Sequence, residues 1–200
     1  MLGLTVDNTF SWDIQVENVL KKCNTYLFLL SRITQFLSID SRQLFYNANI
    51  LPHLDYCCVI WGNCSRSLEE KRVKFQIRAG RLNLKKDFDT ASTFLFSQLK
   101  WMTITERVIY QKAIQMYKTL SGTSPNYLKI PFTSDIHSRT LRSSHETQLY
   151  IPKPRIELFR NTFVFSWSSI WNSIPDFIRH SSNLNLFKVS YLKWYQSSCQ

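Results

Sequence analysis

Apolar residues recur at helical spacing directly after Ser11. They follow one another at alternating intervals of four and three residues: Trp12, Val16, Val19, Cys23, Tyr26, Leu30, Ile33 and Leu37. This spacing places them on one face of an amphipathic helix, and serine is a favoured N-cap residue. The sequence therefore predicts one long helix that begins after Ser11.

Four further helices are predicted before residue 122, over about 40–61, 68–84, 91–99 and 103–120. The first of these should kink at Pro52, because proline lacks a backbone N–H, and should end at Gly62. Ser65 or Ser67 is expected to cap the next helix. Residues 2–6 instead predict a short strand that begins abruptly, so the chain looks cut at its start.

The composition changes after residue 122. Ser, Thr, Pro and Arg dominate residues 123–155, which predicts an extended basic linker, and an aromatic cluster then leads into a helix over about 184–195. We therefore expect four parts: a strand remnant over 1–10, a helical domain over 11–122, the linker over 123–155 and a C-terminal helical segment over 156–200. The predicted fold class is mainly α, a bundle of about five helices with a smaller, aromatic-rich, partly helical C-terminal segment.

The net charge narrows the choice of partner. The chain has 25 Lys and Arg against 14 Asp and Glu, a formal charge of +11 and a pI near 9.6. Such a balance favours a polyanionic partner, RNA or DNA, although a well-solvated basic surface would have the same composition. Four glycines cannot supply a phosphate-binding loop of the G-x-x-x-x-G-K or G-x-G-x-x-G type.

Cysteine usage and hydropathy bear on the compartment. Five cysteines, the lack of a secretory leader and the lack of an apolar run of membrane-spanning length predict an intracellular protein, nuclear or cytoplasmic, with no membrane partner.

The positive charge is patterned on the helix predicted over 68–84. Five cations recur there at intervals of three and four residues and fall within about 80° of arc on a helical wheel. We call them the basic stripe: Lys71, Lys74, Arg78, Arg81 and Lys85. Like charges at this spacing repel each other, and an anionic partner would relieve the repulsion. The stripe therefore predicts contact with several backbone phosphates along about 21 Å.

A second group of cations lies in the predicted linker. Arg139 and Arg142, followed by Lys153 and Arg155, stand among Ser and Thr residues. We expect Arg139 and Arg142 to add to a nucleic-acid contact, although such residues are also ordinary loop composition.

Residues 51–64 collect one histidine, one aspartate and three cysteines. His53-x-Asp55 has the spacing that opens the facial triad of non-haem iron, but on a helix the two side chains point about 200° apart. Cys57, Cys58 and Cys64 contain no C-x-x-C pair, so a closed zinc site is also disfavoured. We expect no metal site and no cofactor. Asp87 and Asp89 fit a solvated turn better than a metal clamp.

Several blocks, taken in order, resemble a known family. They are residues 2–13, 50–62, 74–81, 137–144, 150–154 and 169–175, including Ile50-Leu-Pro-His-Leu-Asp-Tyr-Cys57 and Ser169-Ile-Trp-Asn-Ser-Ile-Pro175. Together they are similar to the thumb and post-thumb part of reverse transcriptases encoded by non-LTR (LINE-type) retrotransposons. The resemblance implies a thumb-like helical bundle that holds a template-primer duplex. Residues 1–10 would then be the end of the primer-grip region.

The same resemblance limits the expected chemistry. The family polymerises on a Tyr-x-Asp-Asp turn that holds two metal ions, and this chain contains no pair of adjacent aspartates. We therefore expect a transposable-element product that is not an enzyme by itself. Residues 1–40 are also similar to the N-terminal element of alkylation-repair dioxygenase homologues, whose catalytic residues have no counterpart here beyond His53-x-Asp55. Three alternatives stay open: a helical protein-interaction module, an iron or zinc enzyme, and a decayed product without function.

Overall fold

The computed structural model describes residues 3–136, 147–160 and 162–198. Over these residues the chain is mainly α, which confirms the predicted fold class, and the described part contains no strand beyond one isolated antiparallel bridge between Phe132 and Leu149. The chain divides into two compact units, Met1–Ile109 and Tyr110–Gln200. No helix among the described residues has both the length and the hydropathy to cross a membrane.

Seven helices begin in the first unit. They are α1 Asp13–Ile33, α2 Ile39–Asn49, α3 Leu51–Asp55, α4 Cys58–Trp61, α5 Arg66–Leu84, α6 Ser92–Leu99 and α7 Ile104–Leu120, with a 3-10 turn at Thr34–Phe36 after α1. The division between the units falls inside α7, whereas the sequence places a boundary at the end of that helix, at residue 122. Helix α1 packs along α5, and α2 contacts both.

The start of α1 differs from the prediction. Trp12, not Ser11, is the N-cap, with a left-handed backbone at φ 66°. The Ser11 hydroxyl donates to Asp7 Oδ2 at 2.6 Å, and its oxygen accepts only a long hydrogen bond, at 3.5 Å, from the N–H of Asp13, the first residue of α1. Hydrogen bonds from Ser11 and then Thr9 lower the pKa of Asp7 to about 2.

The strand predicted for residues 2–6 is wrong over the described residues 3–6, which carry no strand assignment. The Thr5 N–H donates to the side chain of Gln15 on α1 at 2.9 Å rather than to a neighbouring backbone. Without a partner strand, extended residues cannot form a ladder.

The apolar face of α1 is confirmed over most of the helix. Val16, Val19, Cys23 and Leu30 are buried, together with Leu27. The predicted spacing has a period of 3.5 residues while the helix has 3.6, so the pattern drifts by about 20° per heptad. Ile33 is consequently 38% exposed, and the helix ends there rather than reaching Leu37.

The helix predicted over 40–61 is three helices, α2, α3 and α4. Pro52 lies in the first turn of α3, where its missing N–H costs nothing, so the chain breaks at Ile50 instead of kinking at the proline. A second break follows at Cys57, whose φ of 53° is left-handed. Gly62 ends α4 as predicted.

The core of the first unit is closed by aromatic and polar pairs. Tyr46 stacks on Trp101 with ring centroids 4.0 Å apart, and the pKa of Tyr46 is raised, mainly by burial. Arg72 is 1% exposed and lies 5.1 Å from the ring centroid of Trp61. Burial lowers the pKa of the Arg72 guanidinium.

The second unit has an aromatic core. Its further elements are a 3-10 turn Asn126–Leu128, α8 Thr133–Ile136, α9 Glu157–Arg160, a π-helical turn Phe163–Trp167, α10 Ser168–Ser173, α11 Asp176–Arg179 and α12 Leu184–Ser198. Phe187 stacks between Tyr117 and Trp171, with centroids at 4.7 and 5.9 Å. The Asn172 side chain bonds both backbone groups of Leu149, at 2.9 and 2.8 Å. The C-terminal helix predicted over 184–195 is confirmed.

Candidate nucleic-acid interface

The basic stripe lies on the outer face of α5. Four of its residues, Lys71, Lys74, Arg78 and Lys85, are exposed, and Arg81 is half-buried. The opposite face of the helix is buried and includes Gln76 and Asn83, at 2% and 0% exposure. Because the buried face fixes the rotation of the helix, the cations are held toward solvent.

Polar side chains on the buried face anchor α5. The Gln76 side chain accepts from the Ile104 N–H at 2.9 Å and donates to the Met102 carbonyl at 2.8 Å. The Asn83 side chain donates to the Ala79 carbonyl one turn earlier, at 2.9 Å. The two Gln76 bonds satisfy buried polar groups and hold the start of α7 against α5, whereas the Asn83 bond lies within α5 itself.

The C-terminal end of the stripe differs from a regular helical face. The helix ends at Leu84, and Lys85 is its C-cap, with a left-handed backbone at φ 52°. The N–H groups of Lys85 and Lys86 bond the carbonyls of Leu82 and Arg81 at 3.3 and 3.0 Å, which closes the last turn. Lys85 is exposed and is the last residue of the stripe, but because it lies past the end of the helix, the helical phase does not set the direction of its side chain.

The two arginines of the stripe contact neutral partners. The Arg78 guanidinium donates to Asn24 Oδ1 on α1. The Arg81 guanidinium lies 4.6 Å from the ring centroid of Phe88, and its Nη2 is 3.4 Å from the Thr90 carbonyl oxygen. The salt bridges resolved over the described residues include none of the five stripe cations. The stripe thus keeps its positive charge uncompensated by carboxylates at close range.

A groove runs between α1 and α5 beside the stripe. It has a volume of about 390 Å³ and is lined by Asn24, Leu27, Phe28, Ser31, Arg78 and Leu82. Arg78 therefore belongs both to the stripe and to the groove. Phe28 is 56% exposed, and the Arg32 guanidinium lies 4.7 Å from the centroid of its ring.

Sequence reasoning missed the groove and its aromatic ring. The available signal was a phenylalanine on the polar side of α1, four residues before an arginine and outside the apolar face. Such a residue is unexplained by packing within a single helix. The groove itself needs the packing of α1 against α5, which helical spacing does not reveal.

The structure describes only two of the four residues of the second basic group. Arg139 and Arg142 lie outside the described residues. Lys153 and Arg155 are exposed on the second unit.

The residues of the suspected metal motif have other partners. His53 stacks on Tyr26 with centroids 5.4 Å apart, and the two carboxylate oxygens of Asp55 each accept from Arg107 at 2.6 Å. Burial raises the pKa of the Cys64 thiol. Over the described residues, no group of three or more His, Cys, Asp or Glu side chains is arranged to hold a metal ion.

Comparison with known proteins adds no relative to this picture. No family model, no curated protein and no solved structure matches the chain.

Proposed function

We propose that this chain is a non-catalytic part of a retroelement reverse transcriptase of the non-LTR type, and that it binds the backbone of RNA or DNA through the basic stripe. One observation carries the binding proposal. Five cations share the outer side of α5 and its C-cap, four of them exposed, and no salt bridge within the described part of the chain involves them. Phosphates would neutralise charges that otherwise repel one another.

The kinship proposal rests on the ordered sequence blocks described above and on a mainly helical fold. The 200 residues contain no adjacent aspartates, so this stretch supplies no metal-binding polymerase turn of its own. Lysine and arginine contacts to phosphate position a nucleic acid without reading its sequence. The proposed role is therefore holding nucleic acid, with no chemistry performed by these residues.

The salt dependence of binding tests the proposal. If about five phosphates are neutralised, the logarithm of the affinity for a DNA duplex should fall against the logarithm of salt concentration with a slope near −4.5. Filter binding between about 50 and 200 mM salt measures this slope. The triple variant Lys71→Glu, Lys74→Glu and Arg78→Glu should lose most of the affinity and flatten the slope.

A matched variant separates the stripe from net charge. Lys22, Lys100 and Lys193 are exposed lysines outside the stripe, and changing all three to Glu lowers the net charge equally. This control should keep most of the affinity. An affinity independent of salt, or an equal loss in both triple variants, would refute the stripe as the binding surface.

A protein-interaction module is the second candidate. The observation that favours it is a run of exposed apolar side chains where α1 passes into α2: Ile33, Phe36 and Ile39 are 38%, 79% and 40% exposed. Solvent-exposed apolar groups in a cluster are typical of protein interfaces. A partner captured after nuclease treatment, and lost in Phe36→Asp but not in the stripe variant, would favour this reading.

A further inference from the structure

We infer that the groove between α1 and α5 takes an unpaired nucleobase, so that the ligand of the basic stripe is single-stranded nucleic acid. This inference rests on the proposed function, since the phosphates of the same strand would lie on the stripe. It goes further by naming the form of nucleic acid and the residues that meet the base.

The lining of the groove matches the chemistry of a base. Leu27 is buried and Leu82 half-buried, and these two give the groove its apolar part, while Phe28 offers an aromatic ring. Asn24, Ser31 and Arg78 supply polar groups at the same site. A nucleobase has an apolar face and a polar edge, and a site of mixed lining suits both.

The ring of Phe28 is placed for stacking. Arg32, one helical turn later, lies 4.7 Å from the ring centroid, and the phenylalanine is still 56% exposed. A guanidinium near a ring is held by cation–π attraction and brings positive charge to the stacking site. The polyanion and its base would therefore both be attracted to this end of α1.

The connection between groove and stripe is Arg78. This residue lies in the middle of the stripe, and its guanidinium donates to Asn24 at the groove. A phosphate on Arg78 and a base on Phe28 are thus parts of one continuous surface. Charge complementarity selects a polyanion rather than an apolar peptide for this groove.

A second ring lies further along the stripe. Phe88 is 82% exposed, and the Arg81 guanidinium is 4.6 Å from its centroid. Exposed rings interleaved with cations are the arrangement that single-strand-binding proteins use, because every base has a π-face for stacking. In a duplex those faces are already stacked, and unstacking them costs a few kcal/mol. The surface therefore favours a single strand.

Four labelled probes test the inference by fluorescence anisotropy. They are an oligothymidine of about 12 nucleotides, the matching oligouridine, an abasic strand of equal charge and a duplex of equal length. The oligothymidine and oligouridine should bind more tightly than the abasic strand and the duplex. Phe28→Ala should weaken oligothymidine binding by about 5- to 150-fold, the range for loss of one stacked base, and leave abasic-strand binding unchanged.

Two further variants keep the test specific. Phe36 is an exposed aromatic residue outside the groove, so Phe36→Ala should change none of the affinities. Phe28→Trp should preserve or improve the preference for strands that carry bases. Circular dichroism of each variant checks that α1 stays folded.

The possible failures are distinguishable. If Phe28→Ala binds each probe with the same affinity as Phe36→Ala does, the groove inference is wrong while the stripe proposal stands. The same conclusion follows if the wild type binds the duplex more tightly than the single strand. If the stripe triple variant binds every probe as the wild type does, the stripe proposal itself is wrong.

Discussion

The Asp55 carboxylate forms an ion pair with Arg107, and this pair gives Asp55 a structural role. Its carboxylate accepts two hydrogen bonds from Arg107, and the side chains of the two residues are 23% and 26% exposed. Burial would lower the pKa of Arg107, but the hydrogen bonds and charge of Asp55 raise it overall. A carboxylate held in this way joins α3 to the start of α7 and is occupied by a cation of the protein itself.

Breaking this pair from one side should destabilise the protein. Arg107→Leu leaves the Asp55 carboxylate poorly hydrated and without its partner. We expect a loss of about 2–3 kcal/mol in the free energy of unfolding, less than the 3–5 kcal/mol of a fully buried pair, because water still reaches both groups. Urea denaturation followed by circular dichroism measures the change.

The double variant Asp55→Leu with Arg107→Leu is the control. Removing both charges should recover part of the loss, because apolar groups of similar size can replace a paired charge. The single variants Asp55→Leu and Arg107→Leu should each lose some free energy of unfolding. If the loss in the double variant equals the sum of these two losses, the pair contributes no coupling free energy, and the structural role given to Asp55 is wrong.

Helices α1 and α5 could be predicted from the sequence because their burial follows helical periodicity. The stripe was visible for the same reason, since its cations share a phase opposite to the buried residues Gln76 and Asn83. The sequence disfavours a metal site at Asp55 but does not identify the partner of this residue, because Arg107 is 52 residues away along the chain. Contacts of that kind are set by packing, which spacing does not report.

The breaks between elements were less predictable. At Cys57 a non-glycine residue adopts a left-handed backbone, which costs about 1 kcal/mol and carries no local signal. At the start of α1 the N-cap position falls on Trp12, whose backbone is left-handed, so Ser11 is left with one long hydrogen bond from the Asp13 N–H. The groove between α1 and α5 could not be predicted from the sequence either, because it depends on packing between helices and on an aromatic residue outside the apolar face.

At the scale of the element, replacing glycine by alanine should change stability in opposite directions at Gly80, inside α5, and at Gly62, the C-cap of α4. Gly80 lies in the interior of α5, and an added Cβ would meet Leu95 and Leu99 at 3.5 and 3.6 Å, an ordinary contact distance. Gly80→Ala should therefore raise the free energy of unfolding by about 0.5–1 kcal/mol, since glycine is the poorer helix former. Denaturant melts of the variant and the wild type measure it.

Gly62→Ala is the matched comparison. Its Cβ would collide with the Cys58 carbonyl oxygen and come within 2.6 Å of Val108 Cγ1, although φ at Gly62 is an ordinary −69°. The same substitution should destabilise the protein here, by at least about 1 kcal/mol. A stabilised Gly62→Ala, or a destabilised Gly80→Ala, would show that the packing of α4 and α5 is not as described.

At the scale of the whole molecule, the division into two units does not coincide with the change in sequence composition after residue 122. The core of the first unit mixes aliphatic side chains with aromatic rings such as Tyr46, and the core of the second is built from aromatic rings around Phe187. Because the boundary falls inside α7, a continuous helical pattern runs through it. The sequence marks only the end of that helix, where glycine and proline begin.

The net charge of +11 makes a last prediction, about ionic strength. Like charges destabilise a compact chain, and salt screens them as the Debye length falls from about 8 Å at 0.15 M to about 3 Å at 1 M. As sodium chloride is added, we expect Tm to rise by about 2–4 °C for each kcal/mol of repulsion that the salt relieves. Over the same salt series, the affinity for nucleic acid should fall. Differential scanning fluorimetry across a salt series measures Tm. The stripe triple variant should show a smaller rise than the wild type because part of the repulsion is already gone, and a wild-type Tm that falls with salt would mean that attractive ion pairs outweigh the repulsion along α5.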